Sequence, residues 1–452
     1  MDLKNKKIVI VGLAISGVST AKALYKLGAK IIITDMKGID DLKDCIDQLK
    51  EIDVQYILGS NDVDLKNIDL IIKSPGVPLE IPIFKMAEDK NIEVITDIEL
   101  AYRISNNKII AITGTNGKTT TTALVGEIFK NTNDNCRITG NIGVGILWEI
   151  VNADENDIFV VEASSFQLES TKEFKPDVSV ILNITPDHIN WHKTFENYVN
   201  AKKKSFANQD YNDYTILNYD DNIVREMKKE LKSKIVYFST KNVLDRGVYV
   251  DNGNIVVNDG QKSKIIMPSS EIRIPGKHNL ENALAAVSTA WVMGVKLEII
   301  AKTLREFKGI EHRLKYVDNI NGVTFYNDSK GTNPVSSTAA IKAINSPIIL
   351  IAGGMDKGSD FTDFIQSFNG KVKALILLGE TAEKIKNTAI SLGYNNIHIV
   401  KTMKEAVSLS FKISITGDNV LFSPACASWD MYESYEKRGE DFIASVESLR
   451  RA

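Results

Sequence analysis

The chain has 452 residues, 43% of them apolar and 25% charged, with a formal net charge of -3. Those values belong to ordinary globular proteins and leave room for about three domains of the usual size. They exclude a strongly basic nucleic-acid binder, since the longest basic block is Lys202, Lys203, Lys204 and no basic stripe follows. The N-terminus passes from a charged start into a short apolar strand without a signal-peptide pattern, and no run approaches the ~18 apolar residues of a membrane span. Three distant cysteines, Cys45, Cys136 and Cys426, fit neither a disulfide framework nor a zinc site. A reducing cytoplasm is the expected location, with no nucleic-acid or membrane partner.

From end to end, short β-branched runs alternate with helix-period segments: "KIVIVG", "KIIITD" and "DLIIKSPG", then "KIIAITG", "IFVVEAS" and "VSVILNIT", then "PIILIAGG", "ALILLGE" and "NVLFSPA". This alternation predicts an α/β protein with parallel sheets flanked by helices. Boundaries near 97 and 310 divide it into domains at 1–97, 98–310 and 311–452. Between about 235 and 275, Asn-Gly and Asp-Gly turns separate alternating strands, which predicts an antiparallel hairpin attached to the middle domain.

In the first domain "VGLAISG", with Asp35 about 20 residues on, has the outline of a dinucleotide-binding turn. The fingerprint fails at its middle glycine, where Ala14 places a methyl group against any pyrophosphate. A nicotinamide site is therefore disfavoured. Another nucleotide ligand at the same switch point remains open, with Ile15, Ser16, Asp35 and the "SPG" loop, Ser74, Pro75 and Gly76, at its mouth.

The middle domain opens with "AITGTNGKTTTTA". The usual phosphate-loop spacing would put a glycine where Ile112 stands, yet a strand, a glycine turn and a helix start still aim backbone N–H groups at one point, which suits a phosphate. Lys118 would reach the β and γ phosphates and Thr119 would ligate Mg²⁺, against the plainer reading of a turn that uses glycine for backbone freedom. Glu162 ends one strand and His188 follows another, so both can face that loop. A carboxylate and an imidazole there suit a second Mg²⁺.

"YVNAKKKSF" reads by default as a solvated helix face, because a lysine with its ordinary pKa is neutral in only about one copy in a few thousand at pH 7. "GKHNLENALAA" places Asn279 and Asn282 on one side of a helix, where they read a purine edge or Asn279 caps the helix. His312 and Arg313 start the third domain. "NDSKGTNP" gathers Asp328, Lys330, Thr332 and Asn333, either simply exposed or facing a nucleotide held between domains. "GGMDKG" carries Asp356 and Lys357, and "SPACASWDMYESYEKRG" carries Ser423, Ser428 and Tyr435. Lys357 with Ser428 could hold a carboxylate.

Taken in order, "TGTNGKTT", "GNIG", "VVEASSFQLE", "NITPDH", "YVNAKKKSF", "GKHNLENALAA", "HRL", "NDSKGTNP", "GGMDKG" and "SPACASWD" with "YEKRG" resemble the Mur ligases of peptidoglycan synthesis over essentially the whole chain. That family's loop is T-G-T-N-G-K-[ST], which accounts for the missing glycine. "SSFQLE" and "SPACAS" are similar to the members that add D-glutamate to UDP-N-acetylmuramoyl-L-alanine. The resemblance implies an N-terminal Rossmann-like domain holding the UDP substrate, a central phosphate-loop ATPase domain with a mostly parallel sheet and a small antiparallel one, and a C-terminal Rossmann-like domain bringing D-glutamate.

It further implies roles for particular residues. Gly114, Thr115, Asn116, Gly117, Lys118, Thr119 and Thr120 would wrap the ATP phosphates, and Asn279, Asn282, His312, Arg313 and Asp328 would contact ATP. Ile15, Ser16, Asp35, Met36, Ser74, Pro75, Gly76 and Asn141 would hold the UDP substrate. Thr332, Lys357, Ser428 and Tyr435 would bind D-glutamate. Two Mg²⁺ ions would take Thr119, Glu162, His188 and Lys202, the last as a carbamate formed with CO₂, and Lys118, His188 and Lys202 would be the catalytic set. A monomer acting on small molecules is expected. Met36 stands where some relatives present a hydroxyl to uracil, and the place of Asp356 varies among members. Two other readings stay open: another amide ligase of this architecture, such as a folylpolyglutamate synthase, and a non-catalytic nucleotide-binding regulator.

Overall fold

The computed structural model describes residues 1–132, 134–141, 145–274, 276–344, 347–356 and 358–451. The described residues form three sheets. The first and central sheets lie in one compact unit, residues 1–272 with 280–305, and the third in a second unit, residues 273–279 with 306–452.

The first sheet is parallel, in the order Val54–Leu58, Lys30–Asp35, Lys7–Val11, Leu70–Lys73, Glu93–Ile95. Chain order reverses between Lys7–Val11 and Leu70–Lys73, so the turn after Val11 and the Ser74–Gly76 turn flank the crevice where open α/β sheets bind ligands. Gly12 and Ser74 meet across it, with the Ser74 hydroxyl donating to the Gly12 carbonyl at 2.8 Å.

The central sheet runs Ser263–Pro268, Asn254–Asn258, Gly247–Asp251, Lys234–Ser239, Tyr214–Asn218, Val178–Ile181, Lys108–Thr113, Ile158–Glu162, Cys136–Gly140. Its strands are parallel except where Asn254–Asn258 pairs antiparallel with both neighbours. The hairpin expected between 235 and 275 is therefore present, and it extends one edge of this sheet instead of standing apart from it. The interior strands are apolar at nearly every position, as burial on both faces requires; Ile109 to Ile112 are all buried. Lys108–Thr113 is flanked by Ile158–Glu162 and Val178–Ile181. The carboxyl ends of three adjacent strands thus carry the glycine turn, Glu162 and the loop to His188.

One apolar cluster joins the first and central sheets, running from Ile8 and Ile10 through Ile98 and Ala101 of helix Asp97–Ile104 to Phe159 and Phe174. Glu99 of that helix, fully buried, accepts N–H groups from Lys172, Glu173 and Phe174 and pairs with Arg103 at 2.8 Å. Position 97 is thus a covalent joint inside a continuous core.

The third sheet has the order Lys315–Ile320, Val323–Asn327, Asn419–Phe422, Ile348–Ala352, Val372–Leu377, Ile397–Ile399, parallel except for its first pair.

Candidate active site

Strand Lys108–Thr113 ends in a four-residue turn, and helix Lys118–Lys130 begins at once. Gly117, its N-cap, has φ of 87°. A side chain there would be strained, and a Cβ would collide with Oδ1 of Asn282. The helix therefore starts without a side-chain cap, and its positive end faces the turn.

The loop after strand Val178–Ile181 and the helix Phe195–Lys203 hold the turn in shape. The Thr115 N–H donates to the Asn183 carbonyl at 2.9 Å, and the Asn116 N–H to Asn183 Oδ1 at 2.8 Å. Thr115 Oγ1 lies 2.9 Å from the Tyr198 hydroxyl. Lys118 Nζ curls back to the carbonyls of Gly114 and Thr115, at 2.8 and 2.9 Å, which places the cation over the turn.

Lys202 overturns the solvated-face reading of its helix. Helix Phe195–Lys203 buries Tyr198, Ala201 and Lys202, positions i, i+3 and i+4, on one face. Lys202 is 1% exposed, donates to the Gly114 carbonyl at 2.8 Å, and lies 4.6 Å from the centre of the Tyr198 ring. Burial, and then the neighbouring Lys118 cation, hold its pKa well below the ordinary lysine value, against a smaller opposing pull from Asp187. The fold therefore shifts this lysine toward its neutral form, away from the ordinary value that the sequence alone suggests.

Glu162 is 2% exposed. Its Oε1 accepts from Asn141 at 3.0 Å, while its Oε2 is buried without a hydrogen-bond partner among the described residues. An orphaned carboxylate oxygen at a strand end costs about 1–3 kcal/mol or more, and a hard cation would satisfy it. Thr119, in the first turn of the loop helix, adds a hydroxyl, and His188 an imidazole. Burial lowers the His188 pKa, Asp187 opposes, and Lys118 and Lys202 lower it further. The lowered pKa favours the neutral ring, the form that binds a metal. Among the described residues no three His, Cys, Asp or Glu side chains form a metal cluster. The set fits Mg²⁺, which keeps waters and substrate phosphates among its ligands.

In the first sheet, Asp35 accepts N–H groups of Leu13 at 2.7 Å and Lys37 at 2.9 Å, so it braces the turn. Ser16 donates to the buried Asp97 at 2.8 Å. Ile15 and Met36 are exposed apolar side chains beside this mouth, and the carbonyl of Pro75 takes a hydrogen bond from Lys73.

Within the second unit, Asp328 is buried and accepts from Ser423 Oγ at 2.6 Å and the Leu314 N–H at 3.0 Å. Burial pushes its pKa up to about 6, partly offset by Ser423 and Arg313. His312 is buried against Asn327, with Nδ1 to Nδ2 at 3.0 Å. Arg438 is buried and donates to the carbonyls of Ser329, Cys426 and Ala427, tying the "NDSKG" loop to the loop that carries Ser428. Thr332 lies in the former loop, and Tyr435 starts helix Tyr435–Ser448 with Lys330 5.4 Å over its ring. Asn279 sits inside helix Lys277–Val292 and is not its cap. Asp356 pairs with Lys384 at 2.8 Å. Lys357 lies outside the described residues.

Several residues at the site were given no role from the sequence, although Ser165 and Phe166 lie within "SSFQLE". Ser165, Phe166, Trp191 and His192 form a cluster beside His188: His192 Nε2 lies 2.9 Å from Ser165 Oγ, and the Phe166 ring is 4.7 Å from that of His188. Tyr198 was findable, because it precedes Lys202 by one helical turn.

Fold and site together define a nucleotide-binding α/β protein of the phosphate-loop class. Family models agree over nearly the whole length: the Mur ligase MurD-like N-terminal domain matches residues 6–96, the Mur ligase middle domain 112–290, and the Mur ligase glutamate ligase domain 312–426. Proteins named UDP-N-acetylmuramoylalanine--D-glutamate ligase are 49% identical in Thermoanaerobacter sp. (strain X514), 50% in Alkaliphilus metalliredigens (strain QYMF) and 49% in Clostridioides difficile (strain 630), each over 100% of both chains. Two Thermotoga maritima structures share the fold: UDP-N-acetylmuramate-alanine ligase MurC, with TM-score 0.62 and 18% identity over 98% of this chain and 99% of that one, and MurF ligase in complex with ADP, with TM-score 0.59 and 17% identity over 100% and 99%. The chain belongs to the Mur ligase family and, within it, groups with the UDP-N-acetylmuramoylalanine--D-glutamate ligases.

Proposed function

We propose that the chain is an ATP-dependent ligase that joins D-glutamate to UDP-N-acetylmuramoyl-L-alanine by an amide bond, in the supply of peptidoglycan precursors. The observation that carries this reading is that Lys118 and Lys202 both donate to the Gly114 carbonyl of one glycine turn, with Glu162 at the end of the strand paired beside it. A carboxylate and an amine do not condense unaided, because the carboxylate repels nucleophiles and has no leaving group. ATP supplies one. The alanyl carboxylate attacks the γ-phosphorus and ADP departs. The D-glutamate amine then attacks the acyl phosphate, an amide forms, and inorganic phosphate leaves.

The chain contributes positioning and charge. Gly114 to Thr120 cradle the phosphates, and Lys118 swings from its loop carbonyls to the transferring phosphoryl group. Thr119, Glu162, His188 and Lys202 hold Mg²⁺, which spreads the phosphoryl charge when bound. Lys202 serves as a carbamate: its neutral amine adds to CO₂, a nitrogen–carbon bond forms, one proton leaves, and the cation becomes an anionic ligand. Burial and the lowered pKa support this, since only the free amine adds to CO₂. Ile15, Ser16, Asp35, Met36, Ser74, Pro75, Gly76 and Asn141 face the UDP substrate. Asn279, Asn282, His312, Arg313 and Asp328 serve ATP, and Thr332, Lys357, Ser428 and Tyr435 serve D-glutamate. The domains divide at 97 and 310. The protein works as a cytoplasmic monomer, in keeping with three free thiols; among the described residues no helix is long and apolar enough to cross a membrane.

The test is phosphate release with ATP, Mg²⁺ and UDP-N-acetylmuramoyl-L-alanine while D- and L-amino acids are scanned. Release with D-glutamate alone supports the reading. Release with a different amino acid, or with none, overturns it.

A further inference from the structure

The Ser74–Gly76 turn is underpinned by a lysine that the reaction above does not use. Lys73 ends strand Leu70–Lys73 and is fully buried. Its Nζ donates to the carbonyls of Pro75 at 3.0 Å and Ser74 at 3.3 Å. On its far side lies the Trp191 ring, 5.4 Å from Nζ to the ring centre. Among the described residues Lys73 makes no ion pair. The carboxylates that act on it from a distance are Asp97, at the start of helix Asp97–Ile104, and Glu169, at the end of helix Ser165–Glu169. Both favour the charged form, but burial outweighs them and brings the pKa down to about 8. At pH 7 the group is still mostly charged.

Toward Lys73, Trp191 presents a ring face. Its indole Nε1 is buried without a hydrogen-bond partner among the described residues. It belongs to the short helix Ile189–His192, which follows directly on His188. The Phe166 ring touches both, at 4.9 Å from Trp191 and 4.7 Å from His188. A buried ammonium is costly, whereas an apolar side chain of the same length would fill the space without that cost. Apart from the two carbonyls and the ring that it holds, local packing gives no reason for a lysine here.

We propose that Lys73 is a positioning residue whose cation, shared between two turn carbonyls and the face of Trp191, locks the Ser74–Gly76 turn at the nucleotide-substrate mouth to the segment that carries His188. The inference rests on the reading of that mouth as the UDP-substrate site. Cation–ring contacts of this kind are worth enough when desolvated to shift binding about tenfold. The lock prearranges the mouth, so its loss appears in the affinity for UDP-N-acetylmuramoyl-L-alanine and leaves that for ATP alone.

The experiment compares the full-length chain with Lys73→Met, Trp191→Leu, Trp191→Phe and the double variant Lys73→Met/Trp191→Leu. Steady-state KM is measured for each substrate, with Kd for UDP-N-acetylmuramoyl-L-alanine by calorimetry and the melting temperature alongside. Lys73→Met and Trp191→Leu are expected to raise KM and Kd for the UDP substrate about tenfold, with KM for ATP unchanged. Trp191→Phe, which keeps a ring, stays near the parent, and the double variant is no worse than the worse single one. Lys73→Met melts no lower than the parent, since it removes a buried charge. An unchanged Kd in Lys73→Met overturns the proposal. So do additive effects in the double variant, or a general rise in every KM accompanied by a lower melting temperature. A parent chain that binds the UDP substrate but turns nothing over sinks the ligase reading alone, and the calorimetric comparison still decides the lock.

Discussion

The side-chain nitrogen of Lys202 lies 2.8 Å from the carbonyl oxygen of Gly114. That bond brings a buried amine from helix Phe195–Lys203 to the first residue of the phosphate turn. If the amine works as a carbamate, Lys202→Ala loses most activity and regains part of it with short carboxylic acids, which replace the missing anionic ligand. Initial rates with and without added acetate or formate measure this, and full activity without any acid would contradict the role.

Lys118 holds the only ammonium placed over the turn by two hydrogen bonds to the loop's own carbonyls, among the described residues. Its replacement by alanine is expected to cost about 10²-fold or more in kcat, the scale of losing one preorganised charge donor at a transition state. Single-turnover phosphate release checks it, and near-normal turnover would remove Lys118 from the mechanism.

Glu162→Gln tests the unpartnered oxygen. The amide keeps an acceptor for Asn141 but lacks the charge a hard cation needs, so the Mg²⁺ concentration at half-maximal rate should rise about 10-fold or more. Chemical denaturation should show no loss of stability, because the oxygen replaced has no hydrogen-bond partner to lose among the described residues. A normal Mg²⁺ response would remove Glu162 from the metal set.

Asp328 sets a pH dependence of stability. Its folded pKa, about 6, lies above the ordinary 3.8, so between those values the folded chain binds more protons than the unfolded one. Stability from this group is therefore fully present below about pH 4 and is lost as pH rises through about 6, a change of about 3 kcal/mol at most. Urea titrations between pH 4 and 7 should show this fall in the parent and not in Asp328→Asn. Parallel profiles for the two proteins would contradict it.

What the sequence made legible was whatever depends on neighbours along the chain. The β-α alternation, the strand–turn–helix around Gly117 and the hairpin near 250 are local patterns, and the structure has all three. What stayed hidden depends on contacts between distant segments. The run of lysines at 202 to 204 looks solvated until Tyr198, Gly114 and Lys118 enclose its first member. Lys73 drew no reading from the sequence, and only the approach of Trp191, more than a hundred residues later, reveals what it touches. The 97 boundary marks a change of sheet, yet the apolar cluster runs through it.

The account turns on activation of a carboxylate by phosphoryl transfer at the Gly114–Lys118 turn, and isotope transfer tests that most directly. UDP-N-acetylmuramoyl-L-alanine labelled with ¹⁸O in its alanyl carboxylate is converted with ATP and D-glutamate, and the released phosphate is analysed by mass spectrometry. One labelled oxygen is expected in each phosphate, because the oxygen that attacks phosphorus leaves with it when the amine displaces it. Phosphate free of label, with amide formed, would contradict the account.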